Sequence, residues 1–307
     1  MRLELPPVKE GPLIRSVFHL YMAIAWVARA LPERFVYGFA HWAGRTKARL
    51  TWRQRRLVAV HMARITGKAV DSLEVRDLVL DAYASYARYW VETFRYAQKG
   101  PEFWNDRSFL RGEHLDRVLA EGRGAVVLVA HSGNWDAAGA YMAVTGRDPV
   151  TVAEVVRPRR LYEFFVAHRE RLGMTIYPAV HGVSRVLIDE LRSGALVALL
   201  ADRDLKGTGP EVTFFDEPTT FPAGPASLAL IAKVPLLVGA VHSHVFDDGR
   251  RGWQATVSEP IELPAERSRD SVRALTQEAA VRLEELIRPR PEEWHVFSPF
   301  WLEERNK

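Results

Sequence analysis

Gly124-Ala-Val-Val-Leu-Val-Ala-His131-Ser-Gly-Asn-Trp-Asp136-Ala-Ala-Gly139 is the stretch whose reading decides the fold. From Ala125 to Ala130 every residue is Ala or Val except Leu128. A short, unbroken apolar run entered through Gly122-Arg-Gly124 reads as a strand buried on both faces. The run stops at His131. Ser132-Gly133-Asn134 is turn and helix N-cap chemistry, and Trp135 to Val144 reads as an Ala-rich helix. His131 is therefore expected at the carboxyl end of a strand and Asp136 in the first turn of the next helix. In open α/β sheets that crevice is where ligands bind.

Ala195-Leu-Val-Ala-Leu-Leu-Ala201 is a second deeply apolar strand, ending in Asp202-Arg203-Asp204. Shorter strands are expected at Val150–Glu154, Met174–Pro178, Val212–Phe215, Leu236–His242 and Trp253–Glu259, and a further one within Phe103–Arg111. Helical signals fall at Glu113–Glu121, Arg159–Leu172, Ser184–Arg192, Pro225–Ala232 and Ser271–Ile287, and Thr219–Gly224 reads as a loop. Alternating strands and helices predict an α/β fold with a mostly parallel central sheet flanked by helices. In such a sheet the two apolar strands deliver His131 and Asp202 to one rim, and Glu154 ends its strand on the same edge.

The first 100 residues read differently. Helices are expected at Pro12–Leu31, Glu33–Ala48 and Trp52–Ile65, and from a capping box at Asp71-Ser-Leu-Glu74 onward to Arg95. Tyr83, Tyr86, Tyr89, Trp90 and Phe94 give the last of these an aromatic face, which suits core packing or a wall beside acyl chains better than a cofactor box. The chain thus divides into a helical, basic, membrane-associating region (1–100) and an α/β core (101–307). From Arg34 to Lys68 there are nine basic residues and no Asp or Glu, within a chain of net charge +4. Trp42 and Trp52 interleave with them. Val17–Ala28 is apolar but for His19, which is short of the ~20 residues of a spanning helix. Phe18, Tyr21 and Trp26 suit a helix lying in a membrane surface, and a core helix is the competing reading. An anionic membrane is the expected partner of the basic patch, at roughly 1 kcal/mol per basic residue near the surface. No nucleic-acid-binding signature accompanies the charge, so nucleic acid is not expected.

The 307 residues contain no cysteine, which excludes disulfides, thiolate metal sites and a Cys nucleophile. Arg2, Glu4, Lys9 and Glu10 around Pro6-Pro7 do not form a secretory signal. GxGxxG, HExxH and P-loop spacings are missing. His181, His242, His244 and His295 are scattered and share no metal spacing. Asp202-Arg203-Asp204 could be internal salt bridging or a Mg²⁺ ligand pair, but no further carboxylate spacing supports a metal.

A neutral imidazole accepts a proton from an alcohol near pH 7, and does so better when a carboxylate fixes its tautomer. Five residues of strand–turn–helix could fold Asp136 back onto His131. The same helix start offers free N–H groups to developing negative charge. A turn histidine followed by a first-turn acid that suits the helix dipole is the competing reading of the spacing alone.

His131-x4-Asp136 resembles the HxxxxD motif of the lysophospholipid acyltransferase superfamily. His131-Ser-Gly-Asn-Trp-Asp136 followed by Ala-Ala-Gly139 is similar to the lipid A acyltransferase branch, and most like the phosphatidylinositol mannoside acyltransferases of actinobacteria. Further matching blocks run in order from about position 80 to 302. They are Val152-Ala-Glu154 with Arg157-Pro158, Arg169-Glu-Arg-Leu-Gly173, Ala201-Asp-Arg-Asp-Leu205, Glu211–Pro218, Pro222–Pro225, Glu293-Trp-His295 and Pro299–Leu302. The resemblance implies transfer of a fatty acyl group from a thioester, usually acyl-CoA, to a hydroxyl of a membrane glycolipid, with no cofactor. His131 would be the general base, Asp136 would orient it, and Asp202 would stand beside it where relatives carry Glu. Substrate binding would fall to Glu154, Arg169, Arg203 and Asn134. Pro222-Ala-Gly224 departs from the Pro-Glu-Gly of the branches that acylate glycerol phosphates, which favours a glycolipid acceptor. The expected location is the cytoplasmic face of the cell membrane, peripheral or monotopic.

Three alternatives stay open. One is a lipid A-type enzyme acting on another acceptor or using acyl carrier protein. Another is a hydrolase with Ser132 as nucleophile, for which the G-x-S-x-G elbow is missing. The last is a non-catalytic membrane or nucleic-acid binder.

Overall fold

The computed structural model describes residues 3, 5, 6 and 11–305. Arg2, Glu4, Lys9 and Glu10, read above against a signal, lie outside the described residues.

Four helices come first: α1 (Pro12–Ala30), α2 (Glu33–Leu50), α3 (Trp52–Thr66) and α4 (Leu73–Arg95). Pro sits in the first turn of α1, where its missing N–H costs nothing. The cap of α4 is Ser72, whose hydroxyl accepts from Val75 N at 3.2 Å, one residue later than the Asp71 box. α1 lays Ala25 and Ala28 against α4 around Phe94. Beside that face Leu20, Ile24 and Val27 are exposed, as is Leu31 just past the helix, and α2 continues that surface with Phe35, Phe39 and Trp42. Among the described residues no helix is long and apolar enough to cross a membrane.

The chain then alternates. α5 (Pro101–Arg107) and β1 (Ser108–Arg111) are followed by α6 (Glu113–Ala120), β2 (Ala125–Val129) and α7 (Trp135–Val144). Next come β3 (Val150–Ala153), α8 (Arg159–Arg171), β4 (Thr175–Pro178), α9 (Val183–Arg192) and β5 (Leu196–Leu200). A hairpin of β6 (Glu211–Phe214) and β7 (Glu217–Thr220) leads to α10 (Gly224–Ala232), β8 (Leu236–Val245) and β9 (Arg251–Val257). α11 (Arg269–Ile287) and the short α12 (Leu302–Arg305) close the chain.

The main sheet has seven strands in the order β1-β9-β8-β2-β5-β3-β4. β8, β2, β5, β3 and β4 run parallel, β9 is antiparallel to β8, and β1 is parallel to β9. This is the mostly parallel sheet expected. β2 lies at its centre, and Ala125, Val126, Val127 and Leu128 are each less than 5% exposed. That burial on both faces is why the run carries no polar alternation.

One local expectation is met in the last part of its range and another fails in part. The strand expected within Phe103–Arg111 is present as β1 from Ser108, preceded by a helix over Pro101–Arg107 whose first turn Pro101 presets. Part of the expected loop at Thr219 is strand: Phe215 and Asp216 adopt φ of 48° and 64°, making a tight two-residue turn that returns β7 onto β6.

Candidate active site

The β2–β5 register pairs Val129 with Leu200, so the residues two past each end, His131 and Asp202, emerge side by side. The His131 N–H donates to Asp202 Oδ2 at 3.0 Å, and the His131 ring Nδ1 meets Asp202 Oδ1. Trp294 Nε1 donates to Oδ2 at 2.8 Å. Asp202 is fully buried. Burial alone would push its carboxyl upward, but the His131 ring and these donors outweigh that and hold it below the usual carboxylate range. An ionised Asp202 only accepts, so the proton that joins the two groups sits on His131 Nδ1. The His131 side chain keeps 22% exposure, enough for a substrate to reach it.

The turn after His131 is clamped from the C-terminal segment. His295 N donates to the His131 carbonyl at 2.7 Å, and Gly133 N donates to the Glu293 carbonyl at 2.9 Å. Gly133 has φ 53°, and a Cβ there would stand 2.4 Å from the Val241 carbonyl oxygen of β8. Glycine is therefore required on both counts. Ser132 Oγ is buried and accepts from Val241 N at 3.0 Å, so it is committed to the sheet and does not serve the hydrolase reading.

Asp136 does not take the orienting position that the motif spacing and the resemblance suggested. From the first turn of α7 it accepts from Arg169 Nε at 2.7 Å and from Tyr89 OH at 3.2 Å. Burial opposes its charge, yet Arg169 and His168 nearby keep its carboxyl below the usual range. The pair raises Arg169 in turn, against the pull of burial. Asp136 thus ties α7 to α4 and α8 while Asp202 holds the ring. The short Asp202 side chain reaches the His131 ring and bonds the His131 backbone as well.

Asn134, expected to bind substrate, is 2% exposed and occupied at both ends. Its Oδ1 caps α7 by accepting from Ala137 N at 3.0 Å, and its Nδ2 donates to Glu92 Oε2 at 2.9 Å. Glu154 is exposed just past β3, two strands from His131 and on the same rim. Arg203 follows Asp202, and its buried Nε has no hydrogen-bond partner. Among the described residues Asp204 has no ion-pair partner. It caps its own loop by accepting from Lys206 N, Gly207 N and Gly209 N. Among the described residues no cluster of three or more His, Asp or Glu could hold a metal ion.

Two acids around the site, Glu92 and Glu293, were given no role by the sequence. Glu92 on α4 accepts from Tyr37 OH, Asn134 Nδ2 and Trp253 Nε1, joining α2, α7 and β9. Burial pushes its carboxyl up despite Arg88 and those donors. Glu293 accepts from Arg88 at 2.9 Å and from Ser243 N at 2.7 Å. The one available signal for Glu92 was an acid set inside an aromatic helix face.

Trp135 stands beside His131, with ring centroids 5.4 Å apart. A narrow apolar slot begins at Trp135 and Asp136 and runs between α7 and the sheet, past Val129, Leu200, Gly139 and Met142, to Leu115. On its other side, Trp135 faces His295 at 6.0 Å, and beyond it lies a second cavity that Arg203 lines.

The family model of the bacterial lipid A biosynthesis acyltransferases matches residues 12–303. The phosphatidylinositol mannoside acyltransferase of Mycobacterium tuberculosis (strain CDC 1551 / Oshkosh) is 36% identical over 313 residues, covering 98% of this chain and 93% of its own. The Mycolicibacterium smegmatis protein of the same name is 35% identical over 296 residues, covering 95% and 93%. Among solved structures, the 1-acyl-sn-glycerophosphate acyltransferase PlsC of Thermotoga maritima aligns with a TM-score of 0.37 at 14% identity, over 76% of this chain and 97% of its own. The resemblance first seen around His131 thus extends over nearly the whole sequence, and the chain belongs to the bacterial lipid A biosynthesis acyltransferase family and is an acyltransferase.

Proposed function

We propose that the chain moves a fatty acyl group from acyl-CoA to a hydroxyl of a phosphatidylinositol mannoside-like glycolipid at the cytoplasmic face of the membrane. His131 Nε2 takes the proton of the acceptor hydroxyl as its oxygen attacks the thioester carbonyl. A C–O bond forms, the C–S bond breaks, and the thiolate leaves with the proton from the imidazolium. Asp202 steadies that imidazolium. The amino end of α7 points its unpaired N–H groups toward the rim, which suits the oxyanion. The apolar slot at Trp135 suits the acyl chain.

The observation that carries the reading is the His131–Asp202 pair at the carboxyl rim, its ring partly exposed and beside Trp135, which lines an apolar slot. The identity of the acceptor rests on the names of the two mycobacterial relatives. Membrane association is supported by the unpartnered apolar surface of α1 and α2 set among the basic residues of α2 and α3.

The test is thiol release from palmitoyl-CoA by the purified chain with phosphatidylinositol mannoside as acceptor. His131→Ala should lower the rate by roughly 10²–10⁴-fold, as for loss of a general base. A variant as active as the parent overturns the assignment. Activity only with acylated carrier protein would replace the donor.

A further inference from the structure

A cavity of about 550 Å³ lies between α2, α4 and the segment His295–Ser298. Two cations line it, Lys47 and Arg203, together with Tyr86, Trp90 and Phe297, and no Asp or Glu does. Among the described residues neither cation has an ion-pair partner. Arg203 Nε is shut off from solvent with no hydrogen-bond partner, and so is His295 Nδ1 on the same wall. Arg203 as a whole is half-buried, and Nε is its one donor left both shut off and unpaired. Water can satisfy that N–H, but an anionic ligand does so with a stronger, charge-assisted hydrogen bond. His295 adds no charge. Burial holds it far below its ordinary value, at about 3, and its Nε2 is engaged with Ser85 Oγ at 3.0 Å.

The position of the cavity relates it to the reaction. Arg203 follows the carboxylate that holds the base, and the His295 N–H is bonded to the carbonyl of His131. The Trp135 ring divides this cavity from the apolar slot. The volume suits a headgroup-sized ligand, and the Tyr86, Trp90 and Phe297 rings offer flat faces to a sugar or nucleoside ring.

We propose that this cavity anchors a phosphate-ester group of one of the two substrates between Arg203 and Lys47. The proposal deepens the acyl-transfer reading and rests on it for which molecule carries the phosphate. Two sources share that chemistry, the phosphodiester of the lipid acceptor and the phosphates of CoA.

The experiment is calorimetric titration of the full chain with glycerophosphoinositol, the deacylated lipid headgroup, and separately with free coenzyme A. At least one probe is expected to bind, and the one that does identifies the source. Arg203→Gln should weaken it by about 10- to 100-fold, as for a lost charge-assisted hydrogen bond. Lys47→Gln, on an exposed position that leaves the fold intact, should weaken it several-fold, and added salt should weaken it further. Arg203→Gln should also raise KM for the matching substrate more than it lowers kcat. His131→Ala should bind the probe like the parent, so a failed transfer assay and a failed anchoring site are told apart. If neither probe binds, or if Lys47→Gln and Arg203→Gln both bind within twofold of the parent, the proposal is overturned.

Discussion

Asp202→Asn isolates the role of the carboxylate with almost no change in volume. Asp202 accepts from three donors, and an asparagine offers one oxygen and one NH₂ in its place. Its oxygen could replace Oδ2 opposite the His131 N–H and Trp294 Nε1, which puts the NH₂ against His131 Nδ1. The reverse orientation would aim the NH₂ at two buried donors and leave both unpaired, costing about 1–3 kcal/mol each, so the first orientation prevails. The ring must then accept at Nδ1 and carry its proton on Nε2. That is the wrong tautomer for removing a proton from the acceptor. The expected loss in kcat is about 10³–10⁴-fold, or about 4–5.5 kcal/mol of transition-state stabilisation. KM should change little, because the residue is fully buried and touches no substrate. Steady-state thiol release, with near-UV circular dichroism to confirm the fold, measures this. A folded Asp202→Asn chain with kcat within threefold of the parent would refute the tautomer argument and the general-base assignment with it.

Arg169→Leu should act through stability, by leaving Asp136 buried and unpaired. The cost is about 3 kcal/mol, the low end for a broken buried pair because the Arg169 side chain keeps 18% exposure. A thermal melt should show a loss of several degrees that Asp136→Asn combined with Arg169→Leu partly restores, and additive losses would contradict the pairing. Acid should destabilise the fold. Asp136, Asp202 and Glu293 have folded values below their ordinary ones, so their contribution is complete above the ordinary carboxylate range and disappears as pH falls through the folded values. Glu92, raised by burial, works the other way and costs stability as it ionises. Melting temperature is therefore expected to fall steeply below about pH 4, and a flat profile down to about pH 2 would contradict the three depressed carboxylates. Phe39→Ser and Trp42→Ser, each on a side chain about 60% exposed, should each weaken binding to anionic vesicles by about 10- to 100-fold, from about 1.5–3 kcal/mol per aromatic leaving water. Unchanged co-sedimentation would place the membrane contact elsewhere.

Local chemistry was legible in the sequence wherever one segment decides its own structure. The apolar runs at Ala125 and Ala195 read as strands, the first buried on both faces and the second half-buried toward its carboxyl end, and the helix at Trp135 announced itself by its Asn cap. The tight turn at Phe215-Asp216 was hidden because neither residue advertises a positive φ as Asn-Gly does. Tertiary structure alone decided which acid holds His131. A spacing of five residues made Asp136 the candidate, but the pitch of α7 turns that carboxylate toward Tyr89 and Arg169. The register of β2 against β5 brings Asp202 to the ring from 71 residues away. The same holds for the commitment of Asn134 to Glu92 and for the acid-free cavity at Arg203. A periodic pattern reports which face of an element is apolar, because burial acts on each residue separately. It carries no information about which polar group on a distant segment will stand opposite, because that is set by packing among elements the pattern does not relate.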